Sequence, residues 1–101
     1  MSTGLRNTIL GGFAGDAIST GHDNIAIGYR ALTTNTVGDA NTAVGMHALD
    51  QMNPASNADT YNTGLGYNAG YSVTTGTQNT LLGALAGDAI TTGSYNVAIG
   101  V

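Results

Sequence analysis

Six times in this chain an Asn opens a short stretch that ends in Gly, at Asn7, Asn24, Asn41, Asn62, Asn79 and Asn96. The steps between them are 17, 17, 21, 17 and 17 residues. Such self-similarity constrains the fold more than any other feature, because a fixed period means stacked copies of one small unit. The segments read "NTILGGFAGDAISTGHD", "NIAIGYRALTTNTVGDA", "NTAVGMHALDQMNPASNADTY", "NTGLGYNAGYSVTTGTQ", "NTLLGALAGDAITTGSY" and "NVAIGV". Counting each repeat from its Asn, position 4 is Leu10, Ile27, Val44, Leu65, Leu82 or Ile99, and position 5 is always Gly. Position 8 is Ala14, Ala31, Ala48, Ala69 or Ala86, and in the regular repeats position 15 is Gly21, Gly38, Gly76 or Gly93.

A unit of 17 residues so rich in Gly is too short for a helical pair. Composition also argues against helices, since the chain has neither Glu nor Lys to build a helix surface. At positions 2 to 4 a Thr, Ile or Val, a mostly small residue and a large aliphatic follow one another. This alternation predicts a short strand with positions 2 and 4 buried, so that Leu10, Ile27, Val44, Leu65, Leu82 and Ile99 form the structural core. The Gly at position 5 bends the chain. A second strand is expected through the Ala to position 12, where Ile18, Val73 and Ile90 stand, and Thr-Thr-Gly then turns the chain back. The prediction is an all-β fold over residues 1–101, a single repeat domain in which each repeat is one coil of a β-solenoid or β-roll. Coils about 4.8 Å apart would give a rod roughly 25 Å tall. The column Asn7, Asn24, Asn41, Asn62, Asn79 and Asn96 is expected to form an amide ladder.

The third repeat carries four extra residues within "DQMNPASNADTY", with Pro54, the only proline. The expectation is a bulged loop on one side of the rod. Both ends read as open, because "STGLR" matches the close of a repeat and "NVAIGV" stops about a third of the way into one, without the polar cap of most solenoids. This suggests either a piece of a longer rod or a subunit that stacks end to end.

The stretches "NTAVGMHAL", "NTGLGYNAGYSVTTGTQN" and "NVAIG" resemble the 17-residue repeats of phage tail fibres and related bacterial fibre proteins. Those repeats often precede a self-cleaving chaperone domain. More loosely, the stretches are similar to the head repeats of trimeric autotransporter adhesins. The resemblance covers essentially the whole chain. It implies a homotrimer, side by side or intertwined, with aliphatic positions facing a shared core, and a role in reach, rigidity and attachment. The 21-residue third repeat departs from the pattern. A thin coil buries little apolar area alone, which also favours association.

The sequence supplies little chemistry. A P-loop needs Lys after its glycines, and the dinucleotide fingerprint is absent from "GGFAG". "GGFAGD" approaches the calcium-binding nonapeptide, but Ala14 replaces its third Gly and the period is wrong. Asp16, Asp50 and Asp88 share position 10, with Thr33 and Tyr71 interrupting, and read as solvated turn residues. Only a threefold axis gathering three copies of one Asp would offer an ion its ligands. His22 and His47 read as exposed turn residues without a second ligand. No Ser, His and Asp recur in a triad arrangement. The expectation is therefore no enzyme, no cofactor and no metal site. A net charge of −4 without a basic run argues against nucleic acid. No apolar run is long enough to span a bilayer and no signal peptide is evident.

Tyr61, Tyr67 and Tyr71 are the best candidates for surface recognition of a glycan or protein, although clamping of neighbouring coils or chains is the favoured role for the tyrosines. The leading expectation is a structural segment of a viral tail fibre or similar extracellular fibre. Alternatives are an adhesin-type binding module and a self-stacking filament subunit. An ice-binding solenoid ranks last, because Thr-Thr before Gly signals a turn rather than two rows on one face.

Overall fold

The computed structural model describes residues 4–56 and 58–101. Among them there is no helix, hence none long and apolar enough to cross a membrane. The strands are Thr8–Leu10 (β1), Ile25–Ile27 (β2), Gly38–Asp39 (β3), Thr42–Val44 (β4), Ala58–Asp59 (β5), Thr63–Leu65 (β6), Thr80–Leu82 (β7) and Val97–Ile99 (β8). Six of them form one parallel sheet in the order β1-β2-β4-β6-β7-β8, and β3 pairs with β5, also in parallel. In the larger sheet each residue lies opposite its equivalent in the next coil, as in the series Leu10, Ile27, Val44, Leu65, Leu82 and Ile99. The chain is thus an all-β solenoid of about five turns, measuring 35 × 25 × 16 Å.

The strand faces the opposite way from the alternation predicted. Position 3 points inward: Ala26, Ala43 and Leu81 are fully buried. Position 4 points outward, and Leu10, Leu65, Leu82 and Ile99 are 66%, 41%, 39% and 73% exposed, with Ile27 and Val44 half-buried. Within one chain the core is therefore not the position-4 column. It consists of position 3 with positions 8, 9 and 12, including Ala31, Ala48, Leu32, Leu49, Ile18 and Val73.

The reason is a volume exchange across a narrow interior. Ile9 faces Gly15, where an added Cβ would lie 2.6 Å from Ile9 Cδ1. Leu81 faces Gly87 in the same way, at 2.6 Å from Leu81 Cδ2. In the second and third coils the sizes are reversed, with Ala26 and Ala43 at position 3 and the buried Leu32 and Leu49 at position 9. Gly64 and Gly70 leave both places empty in the fourth coil, and Leu49 from below and Leu81 from above fill them. Close packing tolerates one large side chain at this level, from either wall.

The second strand expected through the Ala to position 12 is replaced by turns. Ala14 N–H donates to Gly11 O at 3.2 Å and Ile18 N–H to Gly15 O at 3.1 Å, and later coils repeat these bonds. Positions 7 and 9 are left-handed, as at Arg30 (φ +59°), His47 (+61°), Leu32 (+53°) and Leu49 (+49°), which no extended strand accommodates. The turns still pair between coils: Gly15, Leu32, Leu49 and Gly70 donate to Ala31, Ala48, Ala69 and Ala86, each at 2.9 Å. Position 5 lies at φ between +111° and +132°, a region restricted to Gly. These glycines also stack, so a Cβ on Gly28 would lie 2.8 Å from the carbonyl carbon of Gly45.

The Asn ladder forms as expected. Oδ1 of Asn7, Asn24, Asn41, Asn62 and Asn79 each accepts the backbone N–H of the next Asn, at 2.9 to 3.1 Å. Nδ2 of Asn7, Asn24, Asn62 and Asn79 donates at 2.8 Å to the carbonyl of Gly21, Gly38, Gly76 and Gly93, closing each coil on itself. The side chain is needed because the preceding residue is left-handed in every coil, from Arg6 to Tyr95, and the corner cannot continue a backbone ladder.

The third coil accommodates its four extra residues in two places. From Thr36 to Gly38 is two residues but from Asn53 to its partner Ala58 is five, so three are added there. From Asp39 to Asn41 is two residues and from Asp59 to Asn62 three, so one more forms a bulge. Thr60 fills the bulge, fully buried, with Oγ1 donating to Asn41 Oδ1 at 2.8 Å.

Candidate functional site

Two outward features stand apart from the scaffold. The first is the outer face of the six-stranded sheet. Because side chains alternate along a strand, burying position 3 directs positions 2 and 4 to solvent. The face thus presents a row of Thr8, Ile25, Thr42, Thr63, Thr80 and Val97 beside the position-4 aliphatics, without a charged residue. Ile25 and Val97 are 38% and 72% exposed.

The second lies on the turns. Asp50, read from sequence as solvated, is fully buried. Arg30 Nε donates to its Oδ2 at 3.1 Å, His47 Nδ1 lies 2.7 Å from the same oxygen, and Gln51 Nε2 donates to Oδ1 at 2.6 Å. Burial alone would raise the Asp50 carboxyl, but the bonds from Arg30, His47 and Gln51 outweigh it and hold the group below the usual carboxylate range. Arg30 is pushed up by its hydrogen bond to Asp50. Asp16 and Asp88, at the same repeat position, are exposed as expected. His47 is likewise not a free turn residue, its side chain being 24% exposed. His22 accepts the Leu5 N–H at Nδ1, at 3.0 Å.

An edge-to-face column runs through this cluster. Ring centroids are 5.9 Å apart for Phe13 and Tyr29, 5.5 Å for Tyr29 and His47, and 5.7 Å for His47 and Tyr71. Tyr71 thus takes the coil-clamping role weighed for the tyrosines. Tyr61 and Tyr67 are 51% and 48% exposed and lie outside the column. The phenol of Tyr61 is pushed up by its hydrogen bond to the Asp59 carboxylate. The next position-7 residue beyond His47 is Asn68, whose Oδ1 is buried without a hydrogen-bond partner among the described residues.

Among the described residues no group of three or more His, Asp or Glu side chains converges as metal ligands, and no enclosed pocket is present. The turn cluster was readable only by stacking the repeats: Arg30 and His47 share position 7, and Asp50 follows His47 by three residues. Compared with protein-family models, curated proteins and solved structures, the chain matches none.

Proposed function

We propose that this chain is a structural segment of a viral tail fibre or similar extracellular fibre, assembled from three copies that meet through the outer face of the six-stranded sheet. The observation that carries the reading is the position-4 column. Six aliphatic side chains stand in line on an uncharged face, where a single soluble chain would place polar residues. Their burial between copies would contribute roughly 1 kcal/mol for each half-exposed side chain. Ile25 and Val97 extend the same surface. The resemblance of the repeats to fibre proteins supports the same assignment, and the parallel ladder along the whole chain suits a rigid spacer.

Sedimentation at two protein concentrations tests it. The expected mass is three chains, and Ile27→Asp returns the protein to one by placing a charge in the shared apolar stack. A single-chain mass at every concentration, or unchanged assembly of that variant, refutes the reading.

A further inference from the structure

The Arg30 cluster is more elaborate than a clamp between coils requires. The other arginine, Arg6, spends both Nε and Nη2 on one carboxylate, Asp23. Arg30 instead bonds Asp50 through Nε alone, and among the described residues nothing accepts a hydrogen bond from either terminal amino group. Its side chain is 38% exposed while Asp50 is fully covered. The buried carboxylate, itself fixed by His47 and Gln51, therefore holds the guanidinium with its two-pronged end free. That fork matches a carboxylate in plane. Tyr29 and Tyr71 stand close enough to act on the Arg30 charge, and both pack edge-on against His47.

We propose that Arg30, flanked by Tyr29 and Tyr71, binds a carboxylated sugar of a surface glycan. The sugar carboxylate takes the Arg30 fork. The apolar face of the sugar rests on the tyrosine rings, which combine an apolar body with a polar edge. The site is complete within one chain and does not depend on the number of chains in a fibre.

The test is an NMR titration of the intact protein with methyl β-glucuronide, methyl β-glucoside and sodium acetate. The glucuronide is expected to shift the Tyr29 and Tyr71 side-chain signals, with the glucoside and acetate each about tenfold weaker or more. Arg30→Lys keeps a positive charge beside Asp50 but removes the fork, and is expected to weaken the glucuronide about tenfold or more. Equal binding of glucuronide and glucoside, equal binding of glucuronide and acetate, undiminished binding by Arg30→Lys, or no shifts up to ~50 mM glucuronide overturns the proposal.

Discussion

The exchange of volume between positions 3 and 9 predicts a strong coupling between two residues of the fifth coil. Leu81 is fully buried, and its two δ-methyl groups occupy the places where Cβ atoms on Gly70 and Gly87 would be, each 2.6 Å away. Leu81→Ala removes three carbons from a level whose facing residues have no side chains to move in. The ladder bonds hold the walls apart, with Thr80 N–H to Asn96 O at 2.8 Å and Thr63 N–H to Asn79 O at 2.8 Å. The cost should lie in the middle to upper part of the usual ~2–5 kcal/mol range for a buried Leu→Ala. Gly87→Leu alone is also expected to destabilise, by ~1–3 kcal/mol from overpacking. Its left-handed backbone (φ +60°) adds a further ~1–2 kcal/mol. Together the two changes recreate the Ala26/Leu32 pair of the second coil, where Leu adopts φ +53°. The double variant should recover at least half of the summed loss, a coupling of ~2 kcal/mol or more. Urea unfolding followed by circular dichroism, at one fixed protein concentration, measures all four corners of the cycle. Additivity within ~0.5 kcal/mol would refute the idea that the two positions share one space.

Three further outcomes follow from the scaffold and the turn cluster. Gly45→Ala meets both a forbidden backbone (φ +125°) and the Gly66 carbonyl oxygen 2.7 Å from the new Cβ, and should lower the urea midpoint more than Gly12→Ala, whose Cβ meets only Tyr29 at 3.5 Å. Asn62→Ala strips the Asn79 N–H and the Gly76 carbonyl of their partner and should cost ~2–4 kcal/mol, read as a lower thermal midpoint. The Asp50 carboxyl is held below its unfolded value, so its contribution is fully present above about pH 3.9 and is lost as pH falls through the lower folded value. Asp50→Asn removes the charge that Arg30 and His47 meet, should cost roughly 1–3 kcal/mol near neutrality, and should flatten the acid limb of a stability profile below about pH 3.9.

The period made much of the fold legible. It placed all six strands of the large sheet in register, the Asn ladder in one line and a Gly at each bend, because stacking repeats an environment wherever it repeats a residue. The direction of the strand was not legible column by column. Position 4 is the most uniform apolar column, while the truly interior position 3 runs Ile9, Ala26, Ala43, Gly64, Leu81 and Ala98 and looks unconstrained. Its constraint emerges only when each residue is read with its position-9 partner. The turns are not legible for a related reason: the left-handed conformations at Phe13, Arg30, His47, Asn68 and Leu85 follow from the corner geometry, and no common residue type announces them. The burial of Asp50 is not legible from its local neighbours His47 and Gln51 alone, because Arg30 comes from the neighbouring coil, 20 residues back in sequence, one coil plus three positions.

The same stacking bears on where recognition can evolve on such a rod. Backbone ladders and buried side chains fix positions 1, 3, 5, 8 and 9, so a change there must be answered from the opposite wall or the next coil. Positions 6, 7 and 10 are different. Their backbone is held by bonds such as Arg30 N–H to Gly12 O and His47 N–H to Tyr29 O, both at 2.9 Å, which do not depend on the side chain. Position 6 can therefore be Gly12, Tyr29, Met46, Tyr67 or Ala84, and position 10 can be Asp16, Thr33, Asp50, Tyr71 or Asp88, on an unchanged path. The Arg30, His47, Asp50 and Tyr71 cluster sits entirely at these permissive positions. Apart from the buried Asp50, replacing side chains at these positions should alter surface chemistry before it alters the fold, whereas the outward position-4 column remains aliphatic in every coil although nothing inside the single chain requires it.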